Sequence, residues 1–395
     1  MTIAQDPQDF PMALPGSGRV HARVAALLGA GSPSPEAIDR FLSAAPFPLV
    51  GQGHAVFVWR GEADGVCLLR WIHAGIDRVP LARVPRTDLW LAQVDVANSA
   101  RFEYKLAVQH HGHEEWVLDP RNPERARDPF GENSVCCTSG YVRPPWTTPQ
   151  GAPEGRLIPF GVETAIFEGP REEALYLPPG HDPWAPYPLV VIHDGTDFMT
   201  YADLGVSLDN LIAAGDIPPV MVALVQTVDR MGEYPRGRRH ARYVVRELIP
   251  AIEARYRVSD DPAERVLLGA SLGAVASLAT AFRFPGVFGG LVLQSGSFIL
   301  DKQKLNSRPH PVFHRVADLV SSLKRAPSLP PTRAFVSTGE FEGLAEENRA
   351  LAFWLAEHGV AVRFQSSWDG HHWHNWRDQL RDGLMWVLSP SHSTR

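Results

Sequence analysis

The residues with the clearest chemical signature are Gly269, Ser271 and Gly273, which form a G-x-S-x-G motif within the segment RVLLGASLGAVA. The residues before the motif are an apolar run typical of a buried strand, and those after it have helical spacing. A serine on such a sharp strand-to-helix turn exposes its hydroxyl and needs small neighbours on both sides. The motif therefore predicts Ser271 as the nucleophile of an acyl transfer.

A general base is expected downstream, on the loop after the last core strand, where it can reach the serine. The segment DGHHWHNW offers His371, His372 and His374. His371 is the predicted base, because Gly370 lets the chain turn directly before it. A metal site is the alternative, but no second cluster of carboxylates or histidines completes one, so neither a metal nor another cofactor is expected.

The acid of a catalytic triad is expected after the preceding strand, where the sequence offers Glu340, Glu342, Glu346 and Glu347. Glu342 is the predicted acid because it comes just beyond the end of the strand. Glu346 and Glu347 are typical of the first turn of a helix, whose dipole they complement. A Ser–His pair oriented by another group stays an alternative.

Backbone N–H groups that could stabilise an oxyanion are expected at the start of the helix after Ser271 and in the loop after an earlier strand. Leu272 follows the nucleophile, and Gly195 and Thr196 follow the apolar strand PLVVIH. Such groups can donate to a developing negative charge. Asp194 and Gly195 are also a common turn pair, so a purely turn-forming role is the alternative.

Alternating strands and helices must position these residues. From residue 163 to 395, short apolar segments such as VMVALVQ, GLVLQSGS and RAFVSTGE alternate with helical ones. This alternation is typical of a mostly parallel sheet with helices on both faces. The sequence predicts an α/β-hydrolase-type catalytic domain over 163–395.

The first part of the chain has a different pattern. Segments such as HAVFVWRG and RFEYKLAVQ are short, rich in aromatic and β-branched residues, and broken by turn residues. They predict an N-terminal domain over 1–145 whose core, at about 50–143, is a small all-β sandwich. The Pro- and Gly-rich stretch 146–162 is predicted to be a linker.

Composition excludes several classes of protein. The formal net charge of −6 over 395 residues gives no general basic field for nucleic acid. No apolar run is long enough to span a membrane, and three cysteines are too few for a disulfide framework. The N-terminus lacks the pattern of a signal peptide. We therefore expect a soluble, cytoplasmic protein.

Several segments together resemble the enterochelin (enterobactin) esterases, a group of esterase-D-like α/β hydrolases with an N-terminal immunoglobulin-like domain. The resemblance covers residues from about 40 to 390. The segments that carry it are LDPRNP, DPFGENSV, QTVDRMGEY, RELIPAIEARY, GASLG, FPGVFGGLVLQSGSF and DGHHWHNWR.

The resemblance implies that Ser271 is the nucleophile and His371 the general base, and that Glu342 stands at the family's acidic position. It also implies that Arg230 and Glu233 match an R-x-x-E element whose arginine lies near the substrate. The implied reaction is hydrolysis of the ester bonds of cyclic triserine-lactone catechol siderophores, which frees iron inside the cell.

Residues that could recognise such a substrate follow two predicted strands. Arg230 and Arg236 lie in a basic loop after a strand, where ligands of doubly wound folds bind. With Glu233 they are the predicted contacts of a negatively charged siderophore, and Trp373 is predicted to stack on a catechol ring. A solvated basic loop and a core tryptophan are the alternatives.

Two departures from the family pattern bear on the substrate: Ala274 replaces a usual second glycine after the elbow, and His372 replaces a common aspartate. A carbohydrate or feruloyl-type esterase is therefore one alternative, which exposed Trp59, Trp71 or Trp90 on one sheet face would support. A non-catalytic, hydrolase-like binding protein is another. The expected partner is a small molecule, with neither nucleic acid nor membrane, and a homodimer is left open.

Overall fold

The computed structural model describes residues 20–29, 31–70, 77–300, 303, 305, 310–323, 325 and 332–389. The chain divides into two compact units. The first runs to Val142 and also includes Trp368–Gly370, and the second contains Arg143–Ser367 and the chain from His371 onward. None of the helices within the described ranges is long and apolar enough to cross a lipid bilayer.

The first unit consists of two short helices followed by antiparallel strands. The helices are α1 (Ala22–Leu28) and α2 (Pro35–Ser43), and the strands are β1 (Leu49–Gly51), β2 (His54–Arg60), β3 (Gly65–Arg70), β4 (Asp77–Pro80), β5 (Ala82–Arg83), β6 (Leu89–Asp95), β7 (Arg101–His110), β8 (His113–Val117), β9 (Arg125–Asp128) and β10 (Gly131–Cys137).

Two sheets pack against each other in this unit. One has the order β1-β2-β6-β5 and the other β4-β3-β7-β10-β9, with β8 paired to β7. The ring of Phe57 on β2 lies 6.2 Å from that of Phe102 and 4.9 Å from that of Tyr104, both on β7. These aromatic contacts join the inner faces of the two sheets, as in a sandwich core. The predicted all-β sandwich is confirmed.

The second unit alternates strands and helices. Its elements are β11 (Arg156–Val162), β12 (Arg171–Leu177), β13 (Leu189–His193), α3 (Gly195–Tyr201), α4 (Leu204–Ala213), β14 (Met221–Val225), α5 (Arg230–Glu233), α6 (Arg238–Tyr243), α7 (Ile249–Glu253), β15 (Arg265–Ala270), α8 (Leu272–Arg283), β16 (Gly290–Gln294), α9 (Pro311–Leu323), β17 (Arg333–Gly339), α10 (Ala345–Glu357), β18 (Ala361–Ser367), α11 (Trp373–Asp378) and α12 (Leu380–Leu388).

A single sheet organises these elements, in the order β11-β12-β14-β13-β15-β16-β17-β18. The strands from β14 to β18 in that order are parallel, whereas β11 and β12 are antiparallel. Helices α6 to α10 contribute to the apolar core on one face, and α3, α4 and α12 to the core on the other. Because both faces are covered, β13 to β16 are buried along their whole length and consist mostly of apolar residues. The predicted α/β-hydrolase-type sheet is confirmed.

The stretch 146–162, predicted to be a linker, contributes a strand to this sheet. All seven residues of β11 pair with β12. Pro159 is compatible with this strand because β11 lies at the sheet edge, where a missing N–H group removes no ladder bond. The end of the predicted linker is therefore an edge strand, whereas its other prolines and glycines precede that strand.

Candidate active site

Ser271 lies at a sharp turn between β15 and α8. Its φ of 56° and ψ of −121° are unusual for a residue with a side chain, and such conformations cost about 1–3 kcal/mol. A Cβ on Gly269 would lie 2.4 Å from the carbonyl carbon of Gly273, and a Cβ on Gly273 would lie 3.1 Å from Oδ2 of Asp194. A glycine is therefore required at position 269, and at position 273 a side chain would push against Asp194.

His371 contacts a buried carboxylate. Its Nδ1 lies 2.5 Å from Oε2 of Glu342, and its side chain is 32% exposed, against 1% for Glu342. The His371 ring also packs edge-on against Trp376, with ring centroids 5.1 Å apart. An ionised carboxylate only accepts hydrogen bonds, so Nδ1 carries the proton and Nε2 is left as a proton acceptor.

The second oxygen of Glu342 is held by three donors. Oε1 accepts hydrogen bonds from Ser295 Oγ at 2.5 Å, from Thr338 Oγ1 at 3.0 Å and from the backbone N–H of Gly339 at 2.5 Å. Burial acts to raise the pKa of Glu342, but the charge and hydrogen bond of His371, together with the hydrogen bonds from Ser295 and Gly339, outweigh it and lower the pKa. Glu342 is therefore held as a carboxylate beside the histidine.

The neighbouring glutamates are directed elsewhere. Glu340 forms an ion pair with Arg349 at 3.2 Å. Glu346 and Glu347 lie in the first turn of α10, the place that the sequence indicates for them. Of the glutamates that the sequence offered, Glu342 is the one whose carboxylate contacts His371.

The other two histidines of the HHxH segment lie at the start of α11. His372 occupies the N-cap position and His374 lies within the helix. Within the described ranges, no group of three or more His, Cys, Asp and Glu side chains is arranged to hold a metal ion.

Trp373 belongs to an aromatic cluster between α11 and α3. Its ring packs edge-on against Phe198 at 5.3 Å and against Trp376 at 4.8 Å, and it lies 5.7 Å from Tyr201. These contacts fit the core alternative, and stacking of Trp373 on a ligand ring stays a prediction.

The predicted oxyanion residues lie at the starts of two helices. Leu272 is the first residue of α8, and Gly195 and Thr196 are the first two of α3. The first N–H groups of a helix lack helical acceptors, so they can donate to a ligand. A Cβ on Gly195 would lie 2.5 Å from the Cα of Leu224 on β14, so a glycine is required there.

Arg230 binds Asp194, the residue directly before α3. Its Nε and Nη2 atoms donate to both carboxylate oxygens of Asp194 at 2.8–3.0 Å. The Asp194 side chain is buried, whereas that of Arg230 is 36% exposed. Asp194 therefore does more than form a turn, because it fixes a partly exposed cation.

Glu233 and Arg236, the other charged residues predicted to bind substrate, differ from each other. Glu233 is directed into the protein, 2.8 Å from Nη2 of Arg171 and 3.7 Å from Nδ1 of His240. Burial acts to raise the pKa of Glu233, but His240 and Arg171 outweigh it and lower the pKa. Arg236 is exposed.

Sequence reasoning missed Ser297, Gln226 and Glu173, three polar residues beside these groups. Ser297 has its Oγ 3.1 Å from Oγ of Ser271. Gln226 accepts a hydrogen bond from Thr196 Oγ1 at 2.6 Å, and its own N–H donates to Glu173 Oε2 at 2.8 Å. Ser297 and Gln226 follow buried strands at the carboxyl edge of the sheet, and that position was a usable signal.

Comparison with known proteins places the chain in a family. Residues 164–387 match the Esterase family model, described as "Putative esterase". The chain belongs to the esterase family. An iron(III) enterobactin esterase of Dickeya dadantii is 24% identical to this esterase over 394 residues, which cover 86% of this chain and 88% of the relative.

Solved structures share the fold of this esterase. The enterobactin esterase of Shigella flexneri, crystallised in the presence of enterobactin, has a TM-score of 0.70 and 21% identity, with 85% of this chain and 93% of that chain covered. A ferulic acid esterase has a TM-score of 0.52 and 17% identity, with 60% and 98% covered. The resemblance to the enterochelin esterases that the sequence motifs predict is confirmed by these matches, and the protein is a carboxylic ester hydrolase.

Proposed function

We propose that this esterase hydrolyses the ester bonds of an enterobactin-like catecholate siderophore trilactone and so frees iron in the cytoplasm. The observation that carries the proposal is the hydrogen bond between His371 Nδ1 and Glu342 Oε2, because it leaves Nε2 to accept the proton of a nucleophile. The alignment with a named iron(III) enterobactin esterase over most of both chains supports this substrate class.

The first half of the reaction forms an acyl-enzyme. Ser271 Oγ attacks the ester carbonyl carbon while its proton passes to Nε2 of His371. The negative charge moves to the carbonyl oxygen, where the N–H groups of Leu272 and of Gly195 or Thr196 donate to it. The carbon–oxygen ester bond then breaks, and His371 gives its proton to the departing serine hydroxyl of the substrate.

The second half repeats these steps with water. His371 removes a proton from the water, whose oxygen attacks the acyl carbon, and the proton then returns to Ser271 Oγ. Glu342 accepts the Nδ1 hydrogen bond throughout and stabilises the imidazolium that forms in each half.

Recognition of the substrate is assigned to the loop after β14. Ferric catecholates are anionic, so Arg230 and the exposed Arg236 supply positive charge. Glu233 contributes through its ion pair with Arg171, which holds the short helix α5 that carries Arg230. Trp373, beside the histidine segment, is the candidate for stacking on a catechol ring.

The test is chromatography with mass detection of enterobactin, with and without iron, after incubation with wild-type and Ser271→Ala protein. We expect dihydroxybenzoylserine and its linear oligomers with the wild type and none with the variant. The matched control is Ser389→Ala, because Ser389 is exposed at the end of α12. Turnover by Ser271→Ala would overturn the assignment of the nucleophile.

A carbohydrate or feruloyl ester is the alternative substrate class. Exposed tryptophans on one sheet face of the first unit would support this class. Trp90 is buried and Trp59 is half-buried, and Trp71 lies outside the described residues. Intact enterobactin together with cleavage of a p-nitrophenyl ester would favour this class. Failure to react with a fluorophosphonate would favour a non-catalytic binding protein.

Light scattering would decide whether the protein is a homodimer.

A further inference from the structure

The segment Ser295–Ser297 follows β16, which is paired with β15 on one side and β17 on the other. Strand β15 leads to Ser271, and β17 leads to the turn that carries Glu342. Because parallel strands end at one edge of a sheet, this segment lies between the proposed nucleophile and the proposed acid. Neither of its serines has a role in the mechanism described above.

Ser295 contacts the acid. Its φ is 45°, a left-handed conformation, and its hydroxyl donates to Glu342 Oε1 at 2.5 Å. The same hydroxyl accepts a hydrogen bond from Nε1 of Trp376 at 2.9 Å. Ser295 is therefore held next to Glu342. Because its oxygen accepts the hydrogen bond from the indole, its own O–H group is directed to the carboxylate.

Ser297 contacts the nucleophile. Its side-chain Oγ lies 3.1 Å from Ser271 Oγ, and its backbone N–H donates to the carbonyl oxygen of Ser271 at 3.1 Å. The N–H of Ser271 in turn donates to the carbonyl oxygen of Gln294 at 2.9 Å. These two backbone bonds fix the distance between the hydroxyls, and Ser297 is only 6% exposed.

Asn348 holds the residue between the two serines. Its Oδ1 accepts from the N–H of Gly296 at 2.8 Å, and its Nδ2 donates to the carbonyl oxygen of Gly296 at 2.9 Å. Nδ2 also donates to the carbonyl oxygen of Leu344, in the turn before α10. The fully buried Asn348 therefore holds both backbone polar groups of Gly296, which fixes the backbone directly before Ser297.

We propose that Ser297 is a further catalytic residue, whose hydroxyl donates a hydrogen bond to Ser271 Oγ as that oxygen loses its proton. The proposal rests on the proposed role of Ser271 as nucleophile. The Ser271 proton passes to Nε2 of His371 and then to the leaving hydroxyl, while Ser297 keeps its own proton throughout. The new bond joins Ser271 Oγ to the carbonyl carbon, and the bond to the leaving oxygen breaks.

Such a bond accelerates the reaction because it strengthens as charge develops. A neutral hydroxyl oxygen is a modest acceptor, whereas an oxygen that is losing its proton is a strong one. After acylation Ser271 Oγ is an ester oxygen and a weak acceptor, and its acceptor strength returns when deacylation expels it. Ser297 therefore stabilises the transition states of acylation and deacylation more than it stabilises the acyl-enzyme.

The experiment compares Ser297→Ala, which removes the hydroxyl, with Ser297→Thr, which retains it. Stopped-flow kinetics with p-nitrophenyl acetate give kcat, KM and the acylation rate, and a fluorophosphonate gives the labelling rate of Ser271. For Ser297→Ala we expect kcat and the labelling rate to fall about 10- to 100-fold, the range of a hydrogen bond to a charged group. KM should change less than about twofold, and Ser297→Thr should recover most of the rate.

Thr280→Val is the matched control, because it removes a buried hydroxyl of α8 that bonds to the carbonyl oxygen of Ala276. Its thermal midpoint reports what loss of a buried hydroxyl does to stability alone. Wild-type kcat and labelling rates in Ser297→Ala would overturn the proposal, and so would a change confined to KM.

A double variant separates this proposal from the one on which it rests. If Ser297 acts through Ser271 Oγ, adding Ser297→Ala to Ser271→Ala leaves the residual activity unchanged. A further loss of the size seen in the single variant would overturn the proposal. Activity close to that of the wild type in Ser271→Ala alone would instead refute the nucleophile, whatever the result with Ser297.

Discussion

Glu342 and Glu233 are both shielded glutamates with a lowered pKa, yet they belong to different regions of the second unit. Glu342 is bound by neutral donors such as Ser295 and by His371, whose side chain is one-third exposed. Glu233 is bound by Arg171, a cation with 7% exposure, and its other neighbour, His240, is 1% exposed and so cannot exchange a proton with a substrate. An arginine cannot pass on its proton, whereas a histidine can. A lowered pKa thus identifies a charged carboxylate, and its partner decides whether it serves chemistry or holds a loop.

The largest expected effect is that of Glu342→Gln. The neutral amide cannot stabilise the imidazolium and favours the wrong tautomer of His371, so we expect kcat for p-nitrophenyl butyrate to fall on the order of 10³- to 10⁴-fold. Glu340→Gln is the matched control, since Glu340 pairs with Arg349, and should stay within about twofold. A loss of less than tenfold in Glu342→Gln would show that another group orients the histidine.

Glu233→Gln should reduce the stability of the protein and leave the chemical step nearly unchanged, the reverse of what we expect for Glu342→Gln. Removing the charge leaves Arg171 buried without its carboxylate, which we expect to reduce the free energy of unfolding by about 3 kcal/mol in urea titrations. Turnover of p-nitrophenyl butyrate by the folded protein should stay within about threefold, while KM for enterobactin rises about tenfold as the loop with Arg230 loosens. A large loss of kcat for p-nitrophenyl butyrate would show that Glu233, like Glu342, takes part in catalysis.

A third glutamate extends the comparison through pH. Burial raises the pKa of Glu173 to about 7, against the hydrogen bonds from Tyr243 and from the N–H of Gln226. The folded state therefore binds more protons than the unfolded state between about pH 4.5 and pH 7. The stabilisation from this group is complete below that range and is lost as pH rises through it.

Urea titrations at pH 5 and pH 8 measure this effect. We expect the contribution of Glu173 to fall by about 2–3 kcal/mol between the two values. In Glu173→Gln, which cannot ionise, that part of the pH dependence should vanish. An identical pH dependence in wild type and variant would mean that Glu173 is charged in the folded protein at both pH values.

The sequence was most informative where local geometry dictates the residue type. Gly269 is needed by the elbow itself and a side chain at position 273 would push against Asp194, so the strand–motif–helix order was enough to select Ser271. His371 followed from Gly370 and from the position after the last strand. The choice of Glu342 among four glutamates rested on its distance from the strand end and on the family resemblance.

The remaining features depend on contacts between distant parts of the chain. Ser297 meets Ser271 because β15 and β16 are neighbours and end together, which no pattern within either segment encodes. Gln226 likewise connects Thr196 with Glu173 across the ends of separate elements. Strand β11 was hidden by Pro159, because an edge strand tolerates residues that a central strand excludes.

Three strands of the sheet end in a residue with positive φ that is not glycine: Asp194 after β13, Ser271 after β15 and Ser295 after β16. Glycine at any of them would relieve strain and raise heat resistance. It would also delete the carboxylate that holds Arg230, the hydroxyl proposed to attack the ester or the donor to Glu342. Selection for thermostability alone would therefore favour glycine at these positions, and the stabilised variants would lose catalytic turnover. Gains that keep the enzyme working must therefore come from elsewhere, such as the exposed turns of the first unit.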